Sequence, residues 1–175
     1  MSDAPTLDHI DRLRAQWAAE LPDLDTGGME VIGRARRVTL RSRPAIEAVF
    51  ARHGVDTGEF DVLSTLRRSG PPYRLRPTEL YRSLMISSGG LTDRLNRLTK
   101  AGLIRRPPSP EDGRSLLVEL TAAGAALAEA ALREDMAVEA AMLAHLTLAE
   151  RGTLAGLLRK LDLSLEPETG TAPPS

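Results

Sequence analysis

Seven side chains carry the chemistry that this sequence offers most plainly. Ser88, Thr92, Asn96, Arg97 and Lys100 fall on one face of a predicted helix, Ser87 is placed to cap it, and Arg114 lies in the loop beyond. Hydroxyls, a carboxamide and long cations at helical spacing are groups that meet base edges and phosphates. Small residues at the start of such a helix let it approach a major groove closely. Asn96 and Arg97 have the two-pronged geometry that reads adenine and guanine. A lone arginine at a loop tip suits a minor groove, where narrow width concentrates negative potential.

The elements that must position them can be read around this stretch. Pro77 fits the first position of a short helix, Thr78 to Leu84, with Leu80 and Leu84 on one face. Met85 and Ile86 make a turn. Ser87 then caps a second helix, Ser88 to Ala101, with Leu91, Leu95 and Leu98 as its apolar stripe. Gly102 suits the position just past its end. Ile104–Arg106 and Leu116–Leu120 read as two strands joined by the proline-stiffened loop 107–115, a wing with a basic tip. Between residues 74 and 114, nine Arg/Lys stand against four Asp/Glu, a local charge of +5 in a chain whose net charge is −1. Charge polarised in this way suits one surface facing phosphate.

The flanks are helical in pattern. Thr6 is read as the cap of a helix reaching Leu21, and 22–28 as a linker. Met29 to His53 follows helical spacing, with Pro44 expected to kink it or divide it in two. Its arginines at 34, 36, 37, 41 and 43 read as a solvated face. Thr57 is the expected cap of Gly58–Ser69, and Tyr73–Leu75 is a candidate strand beside the wing. An alanine-rich helix runs from Thr121 to about His145, and Thr147–Glu150 is a capping box opening a last helix to about Leu163. These helices have no core of their own, so a two-fold dimer is where they would bury their faces. The expected fold is mostly α with a small β wing, a winged helix-turn-helix lobe plus a helical dimerisation lobe. Its parts are 1–56 (added and scaffold helices), 57–121 (DNA-binding lobe), 122–165 (dimerisation helices) and 166–175 (a disordered tail).

Ser87–Leu98, Ala101–Arg106 and Asp112-Gly113-Arg114 leading to Val118–Thr121 together resemble the winged helix-turn-helix of MarR-family transcriptional regulators, over about residues 30–165. The additional N-terminal helix and Leu75–Leu80 resemble the urate-responsive subgroup. That resemblance implies an anion site made of Trp17, Asp61, Arg94 and Arg106. It implies in turn a homodimeric repressor, bound to pseudo-palindromic double-stranded DNA and released by a small anionic effector, with no other cofactor. Urate, a planar monoanion, suits an aromatic surface and guanidinium forks. Pairing of Asp61 with Arg106 would lock the reading head, and capture of Arg94 would move it. A tricarboxylate such as trans-aconitate, another purine or an aromatic acid fits the same chemistry. A DNA-binding protein without small-molecule control is the competing reading.

An enzyme is not expected. His9, His53 and His145 are scattered, and no nucleophile elbow, metal-binding triad or phosphate loop is present. The absence of cysteine excludes disulfides and thiol sensing. Neither a leader nor an apolar run of membrane length is visible, so a cytoplasmic protein without membrane contact is expected.

Overall fold

A computed structural model describes residues 6–85, 90–109 and 116–166. Helix α1, His9–Glu20, is followed by a π-helical turn, Met29–Gly33, that runs into α2, Arg34–Arg52. Next come α3 (Thr57–Arg68), β1 (Arg74–Leu75), α4 (Pro77–Ser83) and α5 (Leu91–Lys100). Strands β2 (Ile104–Arg105) and β3 (Val118–Leu120) lead to α6 (Ala122–Met142) and α7 (Leu148–Leu165). The chain divides into two compact units, 1–135 and 136–175. The expected class, mostly helical with a small sheet, is the class observed.

Caps decide where the helices begin, and two starts differ from those expected. Asp8, not Thr6, caps α1, accepting from the backbone of Ile10 and Asp11 while Asp11 returns a bond to the backbone of Asp8. Asp56, not Thr57, caps α3, with Glu59 as its reciprocal partner. In both cases the acid three residues on selects the cap. Helix α2 is continuous through Pro44, so of the kink and the division expected there as alternatives, the division does not occur. The lost hydrogen bond costs about 3 kcal/mol. Beyond it, Val49 and Phe50 are buried, each contributing about 1.5–3 kcal/mol.

The core of the first unit lies where α2, α3, α5 and the sheet meet. Phe50 stacks on Phe60 with ring centroids 4.1 Å apart. Leu63, Leu66, Leu80, Leu98, Ile104 and Val118 are fully buried around them. The sheet has the order β1-β3-β2, both pairs antiparallel. Register sets Glu119 opposite Arg74 on one side and Arg105 on the other. Gly102, at φ +72°, turns the chain from α5 into β2. Thr121 then fixes the start of α6: its Oγ1 donates to Gly102 O at 2.8 Å and accepts from Gly124 N. Gly124 is tightly placed, since a Cβ there would meet the carbonyl of Leu103.

Helix α1 is fastened to the start of α2. Ile10 packs on Gly33. Arg34 bridges to Asp8 at 2.9 Å and Asp11 at 2.6 Å, and Arg14 pairs with Glu30. In the second unit Thr147 and Glu150 form the expected capping box of α7. Leu148, Leu157, Leu163 and Leu165 on that helix are exposed.

Candidate functional site

Helix α5 is built to turn one face inward and show the other. Leu95 and Leu98 are buried, while Thr92, Asn96 and Lys100, four residues apart, are exposed. That spacing lines the three up on one stripe. Ser87, Ser88 and Arg114 lie outside the described residues. Beside the stripe, Thr78, Tyr81 and Arg82 of α4 and Gly90, Leu91 and Thr92 line an open cleft of about 600 Å³. Tyr81 is exposed and able to donate from its hydroxyl. Sequence reasoning missed these α4 side chains, although Tyr81 breaks the apolar spacing of its helix and so had to face outward.

Arg97 is placed differently from the expectation. Its Nε donates to Glu59 Oε1 at 2.6 Å and its Nη2 to Asp56 Oδ2 at 2.8 Å. Glu59 first, and Asp56 after it, hold the guanidinium more firmly charged than usual. Arg97 therefore clamps α5 to the N-terminus of α3, and in this structure its guanidinium is engaged by two carboxylates where a free one was expected. The Asp56-x-x-Glu59 capping box was the available signal. Glu59 spends one oxygen on the cap and has the other left for a cation from a neighbouring helix.

The four residues of the expected anion site are not all brought together. Arg94 lies with its guanidinium against Gly58, where a Cβ would stand 2.6 Å from Cζ. Asp61, one turn later on α3, is buried, and its Oδ2 accepts from the backbone N–H of Met85 at 2.9 Å. Residues 58 and 61 are neighbours on a helix face, so Arg94 and Asp61 share one corner between α3 and α5. Arg106 follows β2, with its Nε buried and no hydrogen-bond partner among the described residues. The pairing of Asp61 with Arg106 expected from sequence is not made. Trp17 is 46% exposed near the end of α1. Since α1 is fastened at the start of α2 and the Asp61 corner lies past its end, a 19-residue helix of about 28 Å separates them. The linker hid this, because it left the direction of α1 open.

Behind the corner, Glu119 ties the wing base together. Arg74 Nε donates to it at 2.9 Å, and Arg105 pairs with its other oxygen. Arg105 first, and then Arg74, hold this buried carboxyl below its ordinary value. Among the described residues, no group of His, Asp and Glu is arranged to hold a metal ion, and no helix is long and apolar enough to cross a membrane.

Comparison with known proteins agrees with this geometry. Residues 53–115 match the MarR family. The chain is similar to the HTH-type transcriptional regulator PecS of Dickeya dadantii, 39% identical over 150 residues that span 86% of this chain and 90% of that protein. A mutant MarR from E. coli, crystallised with operator DNA, superposes with a TM-score of 0.64 at 28% identity, over 79% of this chain and 99% of that one. BpsR of Bordetella bronchiseptica, whose DNA binding is regulated by 6-hydroxynicotinic acid, superposes with a TM-score of 0.62 at 25% identity, over 77% and 94% of the two chains.

Proposed function

Because this chain belongs to the MarR family of transcriptional regulators, which bind operator DNA, we propose that it acts as a homodimeric repressor released by a small anion, urate foremost. The observation that carries the ligand reading is the corner shared by Arg94 and Asp61. One of these residues is on the reading helix and the other on the scaffold behind it. An anion arriving there is attracted by Arg94 and repelled by Asp61, so its binding separates two groups whose spacing sets the angle of α5. A ligand releases DNA only through such a difference between the two states. Arg106, with a buried Nε to satisfy, is the second guanidinium in reach of the proposal. Trp17 is left out of the set within one chain.

Homodimerisation is supported by apolar surface that one chain leaves open. Leu148, Leu157, Leu163 and Leu165 on α7 are all more than half exposed, and apolar surface of this extent marks an interface. A pseudo-palindromic operator with half-sites about one helical turn apart follows from such a pair of reading heads. The regulation of BpsR by 6-hydroxynicotinic acid favours a second reading of the effector, an aromatic carboxylate in place of urate.

The test is selection of bound DNA from a random pool by the purified full chain, with sedimentation to determine mass. A dimer selecting a two-fold motif is expected. Asn96→Ala should then relax preference at one base pair per half-site by roughly 1–3 kcal/mol. A monomer, or DNA recovered without a motif, contradicts the proposal.

A further inference from the structure

We propose that the cleft between α1 and α2 binds a small oxyanion of two or more negative charges, phosphate or carboxylate, at a site separate from the Asp61–Arg94 corner. The cleft holds about 350 Å³ and is lined chiefly by Asp8, His9, Arg12, Arg34, Arg37 and Arg41. A space of that size suits a small molecule and not a folded partner.

The charge arrangement is the argument. Arg34, Arg37 and Arg41 follow one another at i, i+3 and i+7 and so stand in a row on α2, while Arg12 faces them from α1. Like charges at such spacings repel and weaken a helix. Among the described residues only Arg34 of these is answered by acids, Asp8 at 2.9 Å and Asp11 at 2.6 Å. Arg12 donates to a backbone oxygen, that of Leu7, at 3.0 Å. Among the described residues, the side chains of Arg37 and Arg41 have no ion pair and no hydrogen bond. Against the one acid in its lining, Asp8, the cleft thus sets three guanidinium groups that bond no carboxylate among the described residues, Arg12 and His9 on one wall and Arg37 and Arg41 on the other.

The walls are also held in place before any ligand arrives. Ile10 seats on Gly33. Arg14 reaches Thr26 at 3.2 Å and pairs with Glu30. Asp8 spends its oxygens on the α1 cap and on Arg34. The backbones that carry the guanidinium groups are thus fixed, and guanidinium forks suit bidentate capture of oxyanions.

The experiment is calorimetric titration of the full chain with sodium pyrophosphate and, separately, with citrate, at about physiological ionic strength. Wild type should saturate at one site per chain, and the tighter of the two ligands identifies phosphate or carboxylate as the preferred group. Arg37→Gln/Arg41→Gln should weaken that binding by roughly tenfold or more. Arg12→Gln, from the facing wall, should weaken it too. Arg94→Gln, which removes the attracting group of the proposed effector corner, should bind the anion as wild type does, and this separates the cleft from that corner. The inference is overturned if neither anion saturates or if the double variant binds as wild type. It is overturned equally if Arg94→Gln abolishes binding, or if the double variant loses DNA affinity with a shallower salt dependence, which would place the row on DNA.

Discussion

The guanidinium of Arg94, on the reading helix, rests on the bare Cα of Gly58 at the start of α3. Glycine there is explained by this contact, since the helix would otherwise favour alanine by as much as about 1 kcal/mol. Gly58→Ala pushes on the far end of a flexible side chain and not on backbone, so the protein should fold, with a melting temperature within roughly 5 °C of wild type. The displaced Arg94 should, however, change the ligand concentration needed to release DNA. Unfolded protein, or an unchanged release curve, would count against the contact.

Glu59→Gln keeps the cap of α3, because glutamine serves in a capping box, but removes the nearer of the two charges facing Arg97. DNA affinity should fall several-fold for all sequences, with an unchanged salt slope, since no phosphate contact is lost. Fluorescence anisotropy over a range of salt measures both. If affinity is unaffected while Arg97→Gln relaxes preference at a single base pair, Arg97 reads DNA and the clamp is wrong.

Glu119→Gln should destabilise the wing base by roughly 2 kcal/mol at neutral pH, less than for a fully buried pair because Arg74 and Arg105 reach solvent. The sign of the pH dependence follows from the lowered value of Glu119 in the fold, set against its ordinary 4.5. Protonation favours the unfolded chain. The contribution is therefore complete above about 4.5 and lost as pH falls through the folded value. Urea unfolding of both proteins should show a gap that is widest at neutral pH and closes in acid. A gap that persists in acid would mean that packing, not charge, is what Glu119 supplies.

How much of this was legible beforehand follows the range of the interactions. The leucines of α5, the turn at Gly102 and the capping box of α7 are set by neighbours three or four residues away, and sequence showed them. The caps at Asp8 and Asp56 slipped by one or two residues because Ser, Thr and Asp serve equally until the partner acid is considered. Continuity of α2 through Pro44 depended on Val49 and Phe50 packing against α3, which local rules do not contain. The site suffered most. That Arg97 turns to Glu59, that Arg94 rests on Gly58 and that Trp17 stays at the remote end of α2 are facts of which helix meets which. Residue type alone left these contacts undetermined.

The central claim is that an anion acts on DNA binding through the corner of Asp61 and Arg94. Anisotropy of operator DNA, titrated with urate on wild type and Asp61→Asn, tests it most directly. Asparagine still accepts from Met85 but no longer repels an anion, so the variant should bind DNA and lose most of its response, needing at least about tenfold more urate. Release of both proteins at the same urate concentration would contradict the account.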